Sequence, residues 1–267
     1  MPRFRNSNDI YKYIIMSICA VFLCDQNYFR KFLYTCNLLR TRGNYHGDIC
    51  LVIGNDLKDH PILTCDFIRE NRIIIQHFPD IIIPEDCLKV QYQLVRPAYW
   101  FPKRFQYHKF HLFNTFFKQW EYIFYIDCGI TIFADIAPML AVKKANTLLA
   151  HSDAYPTYEW KLHNQFDTTN TDYYPKLNAK YNMECDYCQT TIMLYDTQII
   201  EENTFDNLYN LMLEYPISIT NDQGIFALYF TNICPRFEQI PTKNDDIHFY
   251  DYLSRDPSYR YIMLKSC

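Results

Sequence analysis

Two carboxylates stand where ligand chemistry is most readily placed. Asp127 ends the apolar run Tyr122 to Ile126 and is followed by Gly129. A continuous run of aromatic and β-branched residues suits a strand buried on both faces of a mostly parallel sheet. In open α/β sheets ligands bind outside the carboxyl ends of the strands. Asp127 is therefore a candidate ligand-binding group, and Gly129 leaves room for something to approach the backbone. The second carboxylate, Asp222, opens the helical stretch that follows Asp222-Gln223-Gly224; an aspartate there is also the ordinary helix cap. Other reactive residue types give less. Cys185 and Cys188 form a lone C-x-x-C with no second pair for zinc. His108 and His111 share a helical face, but an isolated i, i+3 pair is a weak metal pattern.

These residues need elements to hold them. Phe105, Phe110, Phe113, Phe116 and Phe117 recur at helical spacing, so the chain ahead of the Tyr122 run reads as a helix. Upstream, a buried strand from Tyr13 to Phe22 leads through Asp25-Gln26-Asn27 into a helix from Tyr28 to Arg40. A strand follows from Asp48 to Gly54, then a helix from Asp59 to Glu70 with Pro61 in its first turn, then a strand from Arg72 to His77. This alternation is that of an α/β sheet with right-handed crossovers. Pro79 to Pro102 reads as irregular. Downstream come a helical patch after Pro138 and short strands at Thr147 to His151 and Thr190 to Tyr195. Helices are expected from Thr204 to Glu214 and from Ile225 to Phe230. The polar stretch from Ser152 to Lys180 is long for a loop inside a compact domain, and such loops are usually functional.

Composition narrows the class. The 267 residues are 49% hydrophobic, enough for one large core. Five glycines and no low-complexity tract give no linker at which to split the chain. The net charge is −4 without a long basic run, which argues against a sequence-independent grip on nucleic acid. Eleven scattered cysteines, several inside apolar runs, read as free thiols in a reducing, cytoplasmic compartment. The basic start and the apolar Ile14 to Cys24 imitate a secretory signal but are too short to span a membrane, and the competing reading is the first buried strand.

Taken in order, several stretches carry a family likeness. They are Tyr28 to Arg40, Lys109-Phe110-His111-Leu112-Phe113, Tyr125-Ile126-Asp127, Asp186-Tyr187-Cys188-Gln189-Thr190-Thr191, Asp222-Gln223-Gly224 and His248-Phe249. The chain resembles the glycogenin-like glycosyltransferases, family 8 of the nucleotide-sugar transferases with the GT-A fold. The likeness spans most of the chain. It departs at three places: the family's D-x-D is here Asp127-Cys128-Gly129, an Asn of the acceptor-side run is Gln189, and no G-x-K follows His248.

The resemblance implies an α/β fold: a single GT-A, Rossmann-like domain over 1–267 with a mostly parallel mixed sheet flanked by helices. Residues 11–136 would form the nucleotide-binding half and 137–267 the acceptor and sugar half. It implies transfer of a sugar from a nucleotide diphosphate donor, of UDP-hexose type, to an acceptor hydroxyl with retention. Asp222, Gln223 and Gln189 would be catalytic. Tyr28, Lys109, Asp127 and Gly129 would hold the nucleotide, with Tyr28 on the base and Lys109 supplying fixed positive charge. A Mn²⁺ or Mg²⁺ ion, held by Asp127 and His248 with the substrate phosphates, would neutralise the leaving diphosphate. Expected partners are the donor and a protein or glycan acceptor, with a homodimer allowed and neither nucleic acid nor a membrane span. The missing second carboxylate keeps a rival open: a protein of this fold that binds nucleotide sugars without turning them over.

Overall fold

The computed structural model describes residues 17–94, 103–155, 157–252 and 260–265. Eleven strands and seven α-helices alternate along them. In chain order these are β1 (Ile18–Cys24), α1 (Phe29–Thr41), β2 (Asp48–Ile53), α2 (Asp66–Glu70), β3 (Ile74–His77) and α3 (Glu85–Gln93). Then come β4 (Tyr122–Ile126), β5 (Ile130–Ile132), α4 (Ala137–Ala141), β6 (Leu148–Ser152), α5 (Tyr174–Lys180) and β7 (Cys188–Asp196). The chain continues with α6 (Thr204–Glu214), α7 (Asp222–Leu228), β8 (Phe237–Gln239), β9 (Lys243–Asn244), β10 (Ile247–Tyr252) and β11 (Arg260–Lys265). The main sheet has the order β3-β2-β1-β4-β7-β6-β8, and only β7 runs against its neighbours.

The central strands are apolar throughout because both of their faces are covered. Side chains alternate between faces with a period of two. Cys19, Val21 and Leu23 of β1 face one core with Ile123 and Tyr125 of β4. Ala20, Phe22 and Cys24 face the other with Phe124 and Ile126. The first core is filled by α6, α7 and the aromatic stretch before β4. The second is filled by α1, whose Phe29, Phe32, Cys36 and Leu39 form its buried face. The apolar N-terminal stretch, where it is described, is thus a central strand paired on both sides by β2 and β4.

Several expectations are corrected. The expected strand from Tyr13 begins at Ile18, and residues 13–16 lie outside the described residues. The Asp59 to Glu70 helix breaks into a 3₁₀ turn at Pro61–Thr64 and α2, because Cys65 between them is extended. Part of the irregular Pro79 to Pro102 stretch is α3, which starts just after Pro84; residues 95–102 lie outside the described residues. The aromatic stretch before β4 is not an α-helix but two 3₁₀ segments, Arg104–Phe113 and Thr115–Gln119, broken at the extended Asn114. A second sheet, β5-β11-β10-β9, was not foreseen. It brings the C-terminal strands back over the turn that follows β4.

Candidate active site

Three elements converge where β4 ends. Strand β4 delivers Asp127, the 3₁₀ segment delivers Lys109, and the first turn of α7 delivers Asp222. Lys109 Nζ lies 3.2 Å from Asp127 Oδ1 and 3.3 Å from Asp222 Oδ2. It also donates to the carbonyl and hydroxyl of Thr190 on β7, at 3.2 and 3.1 Å. Thr190 Oγ1 in turn donates to Asp222 Oδ2 at 2.7 Å. An ammonium has three hydrogens, so Lys109, which is buried, is fully occupied by the protein. It clamps two carboxylates from opposite halves of the chain.

Asp127 receives more than Lys109. Tyr125 OH donates to its Oδ1 at 2.7 Å, and Lys265 Nζ lies 3.4 Å from its Oδ2. Burial disfavours the charge on Asp127, but Lys109, Lys265 and the Tyr125 hydroxyl outweigh it and hold its carboxyl below the ordinary value. At Asp222 burial wins over the pull of Lys109, and the carboxyl titrates above the ordinary value. Lys109 is opposed by its own burial, yet the two carboxylates push it above a free lysine and keep it charged. Asp222 is not the helix cap its position suggested. It occupies the first turn of α7, and its carboxylate is spent on Lys109 and Thr190.

The cleft above this clamp has a volume of about 810 Å³. It is lined by Tyr28, Lys109, Asp127, Gly129, Asp222, Gln223 and Lys265, among others. Tyr28 leaves part of its ring open to the cleft, with Lys31 Nζ 4.8 Å from the ring centroid. Gln223 and Gln189 are brought together by a residue the sequence reading did not single out. Asp153 accepts from Tyr187 OH at 3.0 Å, from Gln223 Nε2 at 3.3 Å and from Gln189 Nε2. Gln223 also donates to Gln165 Oε1 at 2.8 Å. Gln189 is buried on β7, behind the surface of the cleft. Asp153 falls in the long polar stretch flagged as functional, and that was its only signal. Lys265 was missed too. Its only sign is a lysine closing the apolar Tyr261 to Leu264.

His248 is not brought to Asp127. On β10 it pairs with Tyr261 of β11 and packs on that ring at 5.4 Å. Lys265, beside Asp127, lies at the far end of β11, roughly 13 Å along the strand at the usual rise per residue. His108 and His111 are structural. Each has Nε2 within 3.2 Å of a backbone carbonyl, Ile53 for His108 and Pro79 for His111, a contact only an N–H donor satisfies.

The residues present do not fit the divalent cation that the resemblance implies. Among the described residues there is no cluster of three or more His, Cys, Asp or Glu side chains able to hold a metal. Asp127 is the single carboxylate at the turn, and both of its oxygens face ammonium groups. Gly129 has φ +91°, a conformation strained for any residue with a side chain.

No family model matches the sequence, and no curated protein matches it. The fold does have solved counterparts. The apo structure of the bifunctional glycosyltransferase WbbM superposes with a TM-score of 0.54 at 15% identity over 96% of this chain. This chain spans 46% of WbbM, under half its length. The galactosyltransferase LgtC, solved with donor and acceptor sugar analogues, gives 0.59 at 13% identity, covering 93% of this chain and 87% of its own. Mouse xyloside xylosyltransferase 1 in its apo form gives 0.51 at 11% identity, covering 94% and 97%. The mixed sheet flanked by helices is therefore the GT-A fold of these glycosyltransferases.

Proposed function

We propose that the protein is a glycosyltransferase that moves a hexose-type sugar from a nucleotide diphosphate donor to a hydroxyl of a protein or glycan acceptor, with retention. The observation that carries this reading is the Lys109 clamp. It joins Asp127 at the end of β4 to Asp222 at the start of α7 beneath a cleft large enough for a nucleotide sugar. Solved proteins of this fold that act on sugars support it, LgtC with bound donor and acceptor analogues among them.

In this reading Tyr28 takes the base and the diphosphate lies against the Asp127 end of the cleft. The bond between the anomeric carbon and the β-phosphate oxygen breaks, and its electron pair leaves with the diphosphate. The acceptor oxygen bonds to the anomeric carbon, and the hydroxyl proton goes to the departing phosphate oxygen. Positive charge builds on the sugar ring as the bond opens. Asp222 stands on the sugar side to stabilise that charge, and Gln223, held by Asp153 and Gln165, orients the sugar hydroxyls. A screen of nucleotide sugars for donor hydrolysis tests the reading. Release of the nucleoside diphosphate from at least one donor is expected. Tight donor binding with no turnover of any donor supports the rival binding module instead.

A further inference from the structure

We propose that this cleft neutralises the diphosphate of its nucleotide donor with lysine ammonium groups, Lys265 and Lys31 foremost, in place of a divalent cation. The proposal rests on the nucleotide-sugar reading above and names what meets the leaving charge.

The turn after β4 is built for lysine at both positions where a cation-binding pair would stand. At the first, Asp127 is already bridged by Lys109 and Lys265. Lys265 Nζ also lies 3.5 Å from the carbonyl of Cys128, which fixes it over the turn. At the second, a Cβ placed on Gly129 would sit 3.3 Å from Lys31 Cδ. The Lys31 stem therefore lies against the place from which a second carboxylate would project and would have to shift by a few tenths of an ångström to admit one. Lys31 comes from the first turn of α1 and is exposed. Among the described residues it makes no ion pair, and Lys265 keeps 23% of its side chain open. Both ammonium groups are thus within reach of an anion entering the cleft.

The charge balance points the same way. Lys109 and Asp222, both in the lining, answer each other at 3.3 Å. The other charged side chains of the described lining are Lys31, Lys103, Arg104 and Lys265 against Asp25 and Asp127. Asp25 is turned to the backbone N–H of Tyr28 at 2.9 Å. A dianionic diphosphate meets an excess of positive charge here, whereas a metal ion must approach two ammonium groups for the sake of one carboxylate already in use. When the anomeric bond breaks, the electron pair stays on the diphosphate oxygen, and the lysines stabilise that charge until the acceptor proton reaches it.

Calorimetric titration with inorganic pyrophosphate and with UDP, each in EDTA and in Mn²⁺, tests this. Wild-type affinity for both probes is expected to differ by no more than about twofold between EDTA and Mn²⁺. Lys265→Gln and Lys31→Gln are each expected to weaken both probes roughly tenfold, the loss of one charge-assisted contact. Thermal unfolding of each variant confirms that the fold is kept. Tenfold or greater tightening by Mn²⁺ overturns the proposal, as do lysine variants that bind like wild type or a wild type that binds neither probe. Lysine-dependent pyrophosphate binding without UDP binding upholds the lysine site and rejects the nucleotide reading. Lysine-dependent UDP binding without donor hydrolysis upholds the site and rejects turnover.

Discussion

Lys109 concentrates the energetics of the site in one side chain. It is buried with its hydrogens shared among Asp127, Asp222 and Thr190. Removing one member of a buried ion pair leaves an uncompensated charge and costs about 3–5 kcal/mol. Lys109→Met should therefore lower urea stability by that order, because Asp222 loses its counter-charge and Asp127 keeps only Lys265. Asp222→Asn should behave in the opposite way. Burial already makes the charged form of Asp222 unfavourable, and an amide of the same shape still accepts from Thr190. Its melting temperature should stay close to wild type, and UDP should still bind. If Asp222 stabilises the sugar, donor hydrolysis should fall by roughly two or more orders of magnitude with folding intact. Wild-type turnover in Asp222→Asn returns this residue to a purely structural role. The residue types and positions of Asp127, Lys109 and Asp222 were legible in the sequence, but their grouping was not. The resemblance gave Lys109 to phosphate as fixed positive charge, against the plain reading of a surface lysine on an amphipathic stretch. Only the fold shows that Thr190 and both carboxylates saturate it.

At the scale of elements, what matters is how closely α7 is pressed to its neighbours. A Cβ on Gly224 would lie 2.5 Å from Ser218 Oγ and 3.2 Å from the Gln165 carbonyl. Ser218 Oγ also donates to the Asn221 carbonyl at 2.7 Å, and Asn221 enters the helix with φ +57°. Its side chain ties α7 to the chain before Lys109, donating to Gln106 Oε1 at 2.7 Å. The glycine thus allows the helix start, and with it Asp222, to reach Lys109. Gly224→Ala should push the first turn of α7 outward. The expected result is a stability loss of about 1–3 kcal/mol, as for overpacking, and a fall in donor hydrolysis larger than the loss of UDP affinity. Equal losses in both would place the helix start outside the reacting region. Sequence reading placed this helix, and α6 to the residue, because their apolar periodicity is plain. It mistook the stretch before β4 for an α-helix for a reason that lies in three dimensions. Phe110, Phe113 and Phe117 all reach one core, but the N–H of Phe116 is taken by the Asn114 side chain at 2.9 Å. That local cap restarts the turn, and no spacing of aromatics reveals it.

Across the whole molecule, the two-faced sheet was legible because strands buried on both sides carry unbroken apolar runs. The second sheet was not. Ile247–Tyr252 mixes His, Asp and Tyr, and the sheet is closed by β11 pairing with β5, which lies far earlier in the chain. That sheet delivers Lys265, so the missed element and the missed cation are one omission. Folding the aromatic stretch onto the main sheet also has a cost that depends on pH. His108 stacks on Phe105, and His111 stacks between Phe78 and Phe205. Burial lowers His108 from 6.5 to about 4 and His111 from 6.5 to about 3, despite their carbonyl partners. Below pH 6.5 the unfolded chain takes up protons that the native state refuses, so stability falls as pH drops toward those values. Each pH unit across the gap is worth about 1.4 kcal/mol, so His108 alone withdraws roughly 3 kcal/mol by pH 4. Asp127, held below the ordinary carboxyl value, adds to the loss only at still lower pH, as its own folded value is reached. Asp222 works against the trend, since its raised value lets the native state bind a proton before the unfolded chain does. His108 and His111 should dominate between pH 6.5 and 5, with His151, also lowered by burial, adding in the same direction. Urea midpoints measured from pH 7.5 to 5 are expected to hold level and then decline below about 6.5. His108→Gln, which can still donate to the Ile53 carbonyl, should be less stable at pH 7.5 but show a shallower decline. A wild-type profile that stays level to pH 5 would mean that these imidazoles accept protons in the folded chain, and that the 3₁₀ segment carrying Lys109 opens to let water reach them.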